Sequence, residues 1–209
     1  MSKAICLFSG GKDSTVALSW AIEHYREVTA VAFNYRRRPR GERIAAREIS
    51  TRFGIALDEI DLPFLQLAQD FRGSPDEPFR TETAYAPMRN LVFHSVALCL
   101  AEMGGADAVV AGHIKSDELA YRDATVEYIE GIYQLAASGT FGYGGSPPAS
   151  VKVVLPLINL SDSDVIALGR RLLAPLEMTW SCLGNGYRPC GLCVGCQDCL
   201  RAFGSKGNE

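Results

Sequence analysis

The sequence predicts an α/β domain built on a doubly wound, mostly parallel sheet. Short apolar runs typical of buried strands alternate with longer segments of helical periodicity. A glycine-rich turn joins the first of these strands to the first helix. Polar segments follow several later strands, at the strand ends where open α/β sheets bind ligands. Together these observations predict a nucleotide-sized ligand site at one edge of the sheet.

The first half of the chain predicts strands and helices in alternation. Residues 4–8 form an apolar strand that leads into a helix at 15–22. Val28–Phe33 is apolar and rich in β-branched residues, which is typical of a buried strand. Residues 41–53 have apolar positions near helical spacing, and Gly54 follows as the expected C-cap. The next expected elements are a weaker strand at 55–62, a short helix at 64–71 and a long surface loop or lid at 72–85.

The second half contains the clearest predicted helix, at 91–103. It is apolar almost all round, which predicts a central position and a buried Cys99, as we also expect for Cys6. Ser161 begins a further helix as its N-cap. The other expected elements are a strand at 108–113, a polar loop at 115–123, a helix at 124–138, a flexible connector at 139–148, a strand at 151–157 and a helix at 161–173.

The segment Ser9-Gly10-Gly11-Lys12-Asp13-Ser14, called the phosphate loop below, lies between the first strand and the first helix. Adjacent glycines let a backbone approach a ligand closely. The free N–H groups of the helix start and the two serine hydroxyls attract anions. The segment lacks the spacing and lysine position of the G-x-x-x-x-G-K-[ST] loop. It therefore predicts a phosphate site of a different type.

Composition limits the class of protein. A length of 209 residues, 47% hydrophobic residues and 22% charged residues are ordinary for a single globular domain. The net charge of −3 gives no reason to expect nucleic-acid binding. The longest apolar runs fall short of the ~20 residues that span a membrane, and the N-terminal run is too short for a signal peptide. We expect a cytoplasmic protein.

Five of the seven cysteines lie close together near the C-terminal end. Thiolates at the spacing of Cys182, Cys190, Cys193 and Cys196 can converge on a structural Zn²⁺ ion. Cys199 continues the two-residue spacing, so an iron–sulfur cluster or a register that uses Cys199 is the alternative. We expect residues 1–175 to form the α/β domain and residues 176–209 a zinc module packed on it.

Charged and titratable residues at the strand ends are further candidates. The basic segment Arg36–Arg40 follows the second strand and is either a solvated charge run or a clamp for phosphate or carboxylate. His113 and His94 are candidate general bases, although a single histidine is more often structural.

The phosphate loop resembles the pyrophosphate loop of the N-type ATP pyrophosphatases, which cleave ATP between the α- and β-phosphates. The order of the loop, Tyr35-x-x-Arg38, Pro87-x-Arg89-Asn90 and the terminal four-cysteine module resembles the 7-cyano-7-deazaguanine synthase (QueC) family over nearly the whole chain. The resemblance implies a Rossmann-like, adenine nucleotide alpha hydrolase-like fold. It also implies ATP, Mg²⁺ and Zn²⁺ as cofactors and a dimer as one expected assembly.

The resemblance assigns roles to individual positions of this sequence. It implies that Asp13 helps to hold Mg²⁺, that Arg38 and Arg89 act on phosphate or carboxylate charge, and that Asp123 accepts from the N1–H and N2–H₂ edge of the base. Glu127 falls in the same base-facing region. The implied ATP-binding residues are Ser9, Gly10, Gly11, Lys12, Asp13, Ser14 and Gly112. The implied substrate-binding residues are Tyr35, Arg38, Glu42, Asn90, Asp117, Tyr121 and Asp123.

The implied reaction adenylates the carboxylate of 7-carboxy-7-deazaguanine, and ammonia then gives an amide that a second ATP-driven step converts to the nitrile, preQ0. The chain departs from the family pattern at Arg36-Arg37 and Pro39 and at Ala124-Thr125. These changes favour carboxylate activation more than nitrile formation. Some QueC-like enzymes are associated with antiviral gene clusters and join the activated deazaguanine to a protein amine, which is the alternative for this chain.

Two other classes compete with this interpretation. A tRNA-modifying or sulfur-transfer enzyme would require a basic surface and a reactive cysteine away from the metal, which the net charge and the apolar settings of Cys6 and Cys99 do not favour. A non-enzymatic zinc module that binds nucleotides or a partner does not require an intact phosphate loop with Asp13.

Overall fold

The core of the chain is a parallel sheet. The computed structural model describes residues 2–35, 38–64, 88–139 and 151–204. The strands within them are β1 (Lys3–Leu7), β2 (Glu27–Asn34), β3 (Ala56–Asp61), β4 (Ala108–Val110) and β5 (Lys152–Val154). Their order in the sheet is β3-β2-β1-β4-β5, and each neighbouring pair is parallel. The predicted doubly wound parallel sheet is confirmed.

Helices cover both faces of this sheet. The described α-helices are α1 (Lys12–His24), α2 (Arg40–Phe53), α3 (Arg89–Gly104), α4 (Lys115–Ala120), α5 (Val126–Gly139), α6 (Asp162–Arg171) and α7 (Val194–Phe203). Because side chains alternate along a strand, Ala4 and Cys6 face one side, where they pack with α1, α2 and α6. Ile5 faces the other side and packs with α3 and α5. Short 3₁₀ helices at Arg122–Ala124 and Leu176–Met178 complete these layers.

The order of the strands reverses its direction between β1 and β4. From β1 the chain winds outward through β2 and β3, and it then returns to place β4 on the other side of β1. In open α/β sheets ligands bind at this reversal, beyond the carboxyl ends of the strands. The phosphate loop follows β1 there, and Gly112 follows β4.

The structure differs from the sequence-based expectations in three respects. β4 and β5 end at Val110 and Val154, earlier than predicted, and α4 occupies part of the predicted polar loop. This helix forms because the Asp117 carboxylate accepts a hydrogen bond from the Ile114 N–H group at its first turn (3.0 Å). Cys6 is buried as expected, but the prediction of a buried Cys99 is wrong. Helix α3 is apolar all round, so its sequence does not reveal which face is buried.

Parts of the expected organisation lie outside the described residues. They include Arg36, Arg37, Pro87, the predicted loop at 72–85, and most of the predicted helix at 64–71 and connector at 139–148. In the part of the chain that is described, no helix is both long and apolar enough to span a membrane.

Candidate active site and metal centre

The phosphate loop is closed by its own serine hydroxyls. The Ser9 N–H donates to Ser14 Oγ (3.2 Å), and the Gly11 N–H donates to Ser9 Oγ (3.1 Å). Gly10 has a φ of +95°, and a Cβ atom there would lie 2.5 Å from the carbonyl oxygen of Glu42. Only glycine fits this position without strain. The loop is therefore pre-shaped before any ligand binds, with its backbone packed directly on α2.

Lys12 is buried and bridges two carboxylates. Its Nζ lies 2.7 Å from Asp13 Oδ1 and 2.5 Å from Asp162 Oδ1. Burial lowers the pKa of Lys12, but attraction to the two carboxylates outweighs it, so the net shift is upward. Asp162 opens α6, 150 residues further along the chain. The sequence analysis predicts only a helix start at Asp162, because nothing local links this residue to the loop.

Carboxylates outnumber cations around the first turn of α1. Burial raises the pKa of Asp13 to about 6; Lys12 opposes this shift, while Asp117 and Asp162 add to it. The cluster therefore carries excess negative charge, which suits a divalent cation. The oxygens of Asp13, Asp117 and Asp162 do not converge on one point, since the four cysteines are the only converging ligand group among the described residues. A Mg²⁺ ion would need phosphate oxygens as further ligands.

Gly112 brings the end of β4 against the start of α1. A Cβ atom at this position would lie 2.9 Å from the carbonyl carbon and oxygen of Asp13 and 3.0 Å from the Cα of Ser14. These neighbours are backbone atoms that cannot rotate away. The lack of a side chain at Gly112 thus allows the polar segment after β4 to approach the phosphate loop.

Arg38 braces the phosphate loop in this structure. Its Nη2 donates to the Ser9 carbonyl (2.7 Å), its Nη1 donates to Asn34 Oδ1 (2.8 Å), and its Nε lies 3.5 Å from Glu42 Oε2. The side chain is almost wholly buried, and burial lowers its pKa. The guanidinium is thus committed to groups of the chain itself. Its predicted role toward a bound anion remains a prediction.

Arg89 gathers several of the predicted substrate residues. It lies near the Tyr35 hydroxyl and the charges of Glu42 and Asp123. Burial lowers the pKa of Arg89, but Tyr35, Glu42, Asp123 and Tyr121 together raise it overall. These residues come from the end of β2, from α2, from the start of α3 and from the turn before α5. The fold brings these separate segments together beside the phosphate loop.

Asp123 also contacts the first turn of α3. Its Oδ2 accepts a hydrogen bond from the Asn90 N–H (3.4 Å). Met88, which precedes α3, has a φ of 60°, a left-handed conformation that is uncommon outside glycine. Glu127 is exposed on the first turn of α5. Of the predicted base-facing acids, Asp123 is therefore the one that the fold directs toward Arg89 and Asn90.

Both candidate histidines lie next to this group and contact each other. His94 Nε2 lies 3.2 Å from His113 Nε2, and His94 Nδ1 lies 3.0 Å from the Tyr133 hydroxyl. Burial lowers the pKa of His94 to about 3 and that of His113 to about 4, in the second case with help from Arg89. Both rings are therefore neutral near pH 7. The sequence indicated two separate histidines and gave no sign that they pair.

The four predicted cysteine ligands converge. The Sγ atoms of Cys182, Cys190, Cys193 and Cys196 all lie within 4.8 Å of one another, and two of these pairs are 4.0 Å apart. Sulfurs around a tetrahedral Zn²⁺, with Zn–S bonds of about 2.3 Å, are about 3.8 Å apart. Backbone N–H groups of Leu192 and Cys193 lower the pKa of the Cys190 thiol to about 6. The donor set fits a four-coordinate metal, and Cys199 lies outside it.

Trp180 connects this metal centre to the phosphate loop. Its backbone N–H donates to the Gly10 carbonyl (3.0 Å), and its indole N–H donates to the Cys182 carbonyl (2.8 Å). The ring lies directly against the Cα of Gly41 in α2. Nothing in the sequence indicated this contact. Trp180 therefore links the cysteine segment directly to the loop for which ATP binding is predicted.

Comparisons with known proteins find relatives that match nearly the whole chain. A 7-cyano-7-deazaguanine synthase from Campylobacter curvus is 35% identical over 220 residues, which cover 99% of this chain and 95% of that protein. The synthase of the same name from Acetivibrio thermocellus is 34% identical over 224 residues, with the same coverage of 99% and 95%.

Solved structures share the fold at low sequence identity. A 4-thiouridine synthetase solved with RNA and bound ATP is 20% identical, with a TM-score of 0.58 over 91% of this chain and 45% of that one. A predicted tRNA methyltransferase subunit from Methanocaldococcus jannaschii is 17% identical, with a TM-score of 0.55 over 82% of this chain and 76% of that one. These likenesses confirm the Rossmann-like α/β fold. Residues 3–207 match the family described as "Queuosine biosynthesis protein QueC", and the chain belongs to that family.

Proposed function

We propose that this protein uses ATP to adenylate the carboxylate of 7-carboxy-7-deazaguanine and transfers the acyl group to a nitrogen nucleophile. With ammonia, and a second activation of the amide, the product is 7-cyano-7-deazaguanine, after which its relatives are named. The observation that carries this proposal is the pre-shaped phosphate loop beside the Arg89 cluster, in a chain that matches those synthases over nearly its whole length.

The phosphate loop supports the ATP half of the reaction. The Ser9 and Gly11 N–H groups are already donated to the serine hydroxyls, which hold the loop in shape before the ligand arrives. The N–H groups at the start of α1 are the ones that the loop directs toward an anion. Asp13 is the residue we assign to Mg²⁺, together with phosphate oxygens. Bound there, Mg²⁺ neutralises charge on the phosphates. Lys12 is already paired with Asp13 and Asp162, so we assign it to fixing the Asp13 side chain.

The Arg89 cluster supports the acyl half. An arginine fork suits a carboxylate or a phosphate, and Arg89 lies where the phosphate loop and the segment after β4 meet. Asp123 offers a carboxylate to the paired N–H donors of a guanine-like edge. Arg38 holds the loop through the Ser9 carbonyl, so we now assign it a positioning role. The chemistry then depends mostly on positioning and charge stabilisation.

The decisive experiment incubates the protein with ATP, Mg²⁺ and 7-carboxy-7-deazaguanine, with and without ammonium. Pyrophosphate and AMP release and the masses of the small molecules are followed. Ammonium-dependent formation of the nitrile supports the proposal in full. Pyrophosphate release that stops at the acyl adenylate, with AMP still attached, points to another amine, such as one on a protein. AMP release that stops at the amide shows that ammonia is accepted but that no nitrile is formed. An absence of both pyrophosphate and AMP above background overturns the substrate assignment.

We expect a Gly112→Ala change to disrupt the ATP half. The added Cβ would press on the Asp13 and Ser14 backbone at 2.9–3.0 Å, so the first turn of α1 must shift. A misplacement of about 1 Å at a reacting centre costs about 100-fold in rate. AMP release should fall by that order. Gly131→Ala, at a position with nothing within 4 Å of the new methyl group, is the matched control. Equal rates for the two variants would contradict the prediction.

A further inference from the structure

Three polar side chains form a hydrogen-bonded row through the core beneath the site. Tyr133 Oη lies 3.0 Å from His94 Nδ1, and His94 Nε2 lies 3.2 Å from His113 Nε2. His94 is fully buried, and Tyr133 is 7% exposed. The surrounding core is apolar, with Ala97, Ala101 and Ile129 among its members. Burying polar groups in such a core is costly unless each is paired, and here each is paired along the row.

The row restricts where protons can be. Each neutral imidazole carries one proton, and the contact between the two Nε2 atoms needs one donor and one acceptor. If Tyr133 accepts from His94 Nδ1–H, then His94 Nε2 accepts from His113 Nε2–H. His113 Nδ1 is then an unprotonated acceptor. This nitrogen has no hydrogen-bond partner among the residues that the structure describes. The row can therefore present a free imidazole base at its upper end.

His113, the last member of this row, neighbours the candidate active site. His113 directly follows Gly112, which packs on the Asp13 backbone. Arg89 of α3, Asp123 of the turn before α5 and Glu118 of α4 all act on the charge of His113. His94 is a further titratable neighbour, with its Nε2 3.2 Å from His113 Nε2. His113 thus lies between the phosphate loop and the Arg89 cluster, where an activated acyl group would meet its nucleophile.

We propose that His113 Nδ1 accepts the proton that the nitrogen nucleophile releases when it attacks the acyl adenylate, with His94 and Tyr133 as positioning residues. The inference rests on the proposed function. In this step the C–N bond forms, the bond between the acyl carbon and the AMP oxygen breaks, and AMP leaves with the electron pair. The proton passes from the attacking nitrogen to His113, where Asp123 and Glu118 face the resulting imidazolium.

The charges around His113 fit this role. Burial and Arg89 lower the pKa of His113 to about 4, whereas Asp123 and Glu118 raise it. The ring is therefore unprotonated and ready to accept at neutral pH. An anionic substrate on Arg89 would offset the arginine charge and make His113 a stronger base at the stage when the proton is released. His94 cannot take up the charge itself, because it is fully buried.

The test separates activation from transfer. ATP–pyrophosphate exchange in the presence of 7-carboxy-7-deazaguanine reports adenylation, and incorporation of ¹⁵N-ammonium reports transfer. In His113→Ala we expect exchange to persist and transfer to fall by about 100-fold, the lower end for loss of a general base. Added imidazole should restore part of the transfer rate. As the pH is lowered, the rescued transfer rate should then decrease with the protonation of free imidazole, a ring whose ordinary pKa in histidine is about 6.5.

One further variant tests a positioning residue, and a second serves as its control. Tyr133→Phe removes one oxygen and keeps the ring, so we expect folding and exchange to persist while transfer falls by a few-fold and its pH profile shifts. His24→Ala is the matched control, since the third histidine of the chain lies exposed at the end of α1, where it contacts the Trp20 carbonyl and ring. It should leave exchange and transfer unchanged.

The outcomes are distinct. Selective loss of transfer in His113→Ala, with imidazole rescue, supports the inference. Parallel loss of exchange and transfer without rescue, or no loss at all, overturns it and leaves a structural row. If the unmodified chain shows exchange but no transfer to ammonium, the inference is overturned for ammonia as the nucleophile. No exchange in the unmodified chain overturns the proposed function, and this inference with it.

Discussion

Asp13→Asn should reduce AMP release at least about 100-fold, as expected when a group that stabilises developing charge is removed. The amide has nearly the same shape as the carboxylate but loses the charge that would hold Mg²⁺ beside the phosphates. It would also leave Lys12 with Asp162 as its remaining carboxylate contact. AMP release at increasing Mg²⁺ concentrations measures the effect. A partial recovery at high Mg²⁺ would locate the defect in metal binding.

The control for this change is Asp107→Asn. Asp107 lies before β4, at the amino ends of the strands, whereas the phosphate loop lies at their carboxyl ends. Its carboxylate accepts a hydrogen bond from the Lys3 N–H (2.8 Å). This variant should release AMP at the unmodified rate. If Asp13→Asn also retained the full rate, the loop would be a nucleotide-binding or structural element, and the non-enzymatic alternative would replace the proposed function.

Cys190→Ser should remove one equivalent of metal per chain and destabilise the C-terminal segment. A structural Zn²⁺ site contributes about 10–16 kcal/mol of binding free energy in small zinc peptides, and that free energy is coupled to folding. Three thiolates retain the ion much less tightly than four. Metal analysis of the purified protein and thermal unfolding measure the two effects. Visible absorption in the unmodified protein distinguishes an iron–sulfur cluster from zinc.

Cys199→Ser is the matched control, because Cys199 lies outside the converging group although it has the same spacing in the sequence. It should keep its metal. Equal metal loss in the two variants would support the register that uses Cys199. In Cys190→Ser we also expect slower AMP release, since Trp180 joins the Cys182 carbonyl to the Gly10 carbonyl of the phosphate loop. Strong chelation should reproduce both effects.

The sequence by itself determined the parts of this protein that depend on local patterns. Short apolar, β-branched runs that alternate with helical segments predicted the parallel sheet. Gly54 predicted the end of α2, where it has a φ of 66°. The cysteine spacing predicted the four converging thiols, because bringing together ligands that are close in the chain costs little loop-closure entropy. Cys99 shows the limit of such patterns: on a helix that is apolar all round, periodicity does not identify the buried face.

Only the tertiary structure decided which distant residues meet. Asp162 reaches Lys12 across 150 residues, and Tyr133 and His113 meet His94 from two other elements. Trp180 joins the metal segment to the phosphate loop. A charged or aromatic residue has the same local signal whether it lies in solvent or in such a contact. Its partner is fixed by strand order and helix packing, which are properties of the whole chain.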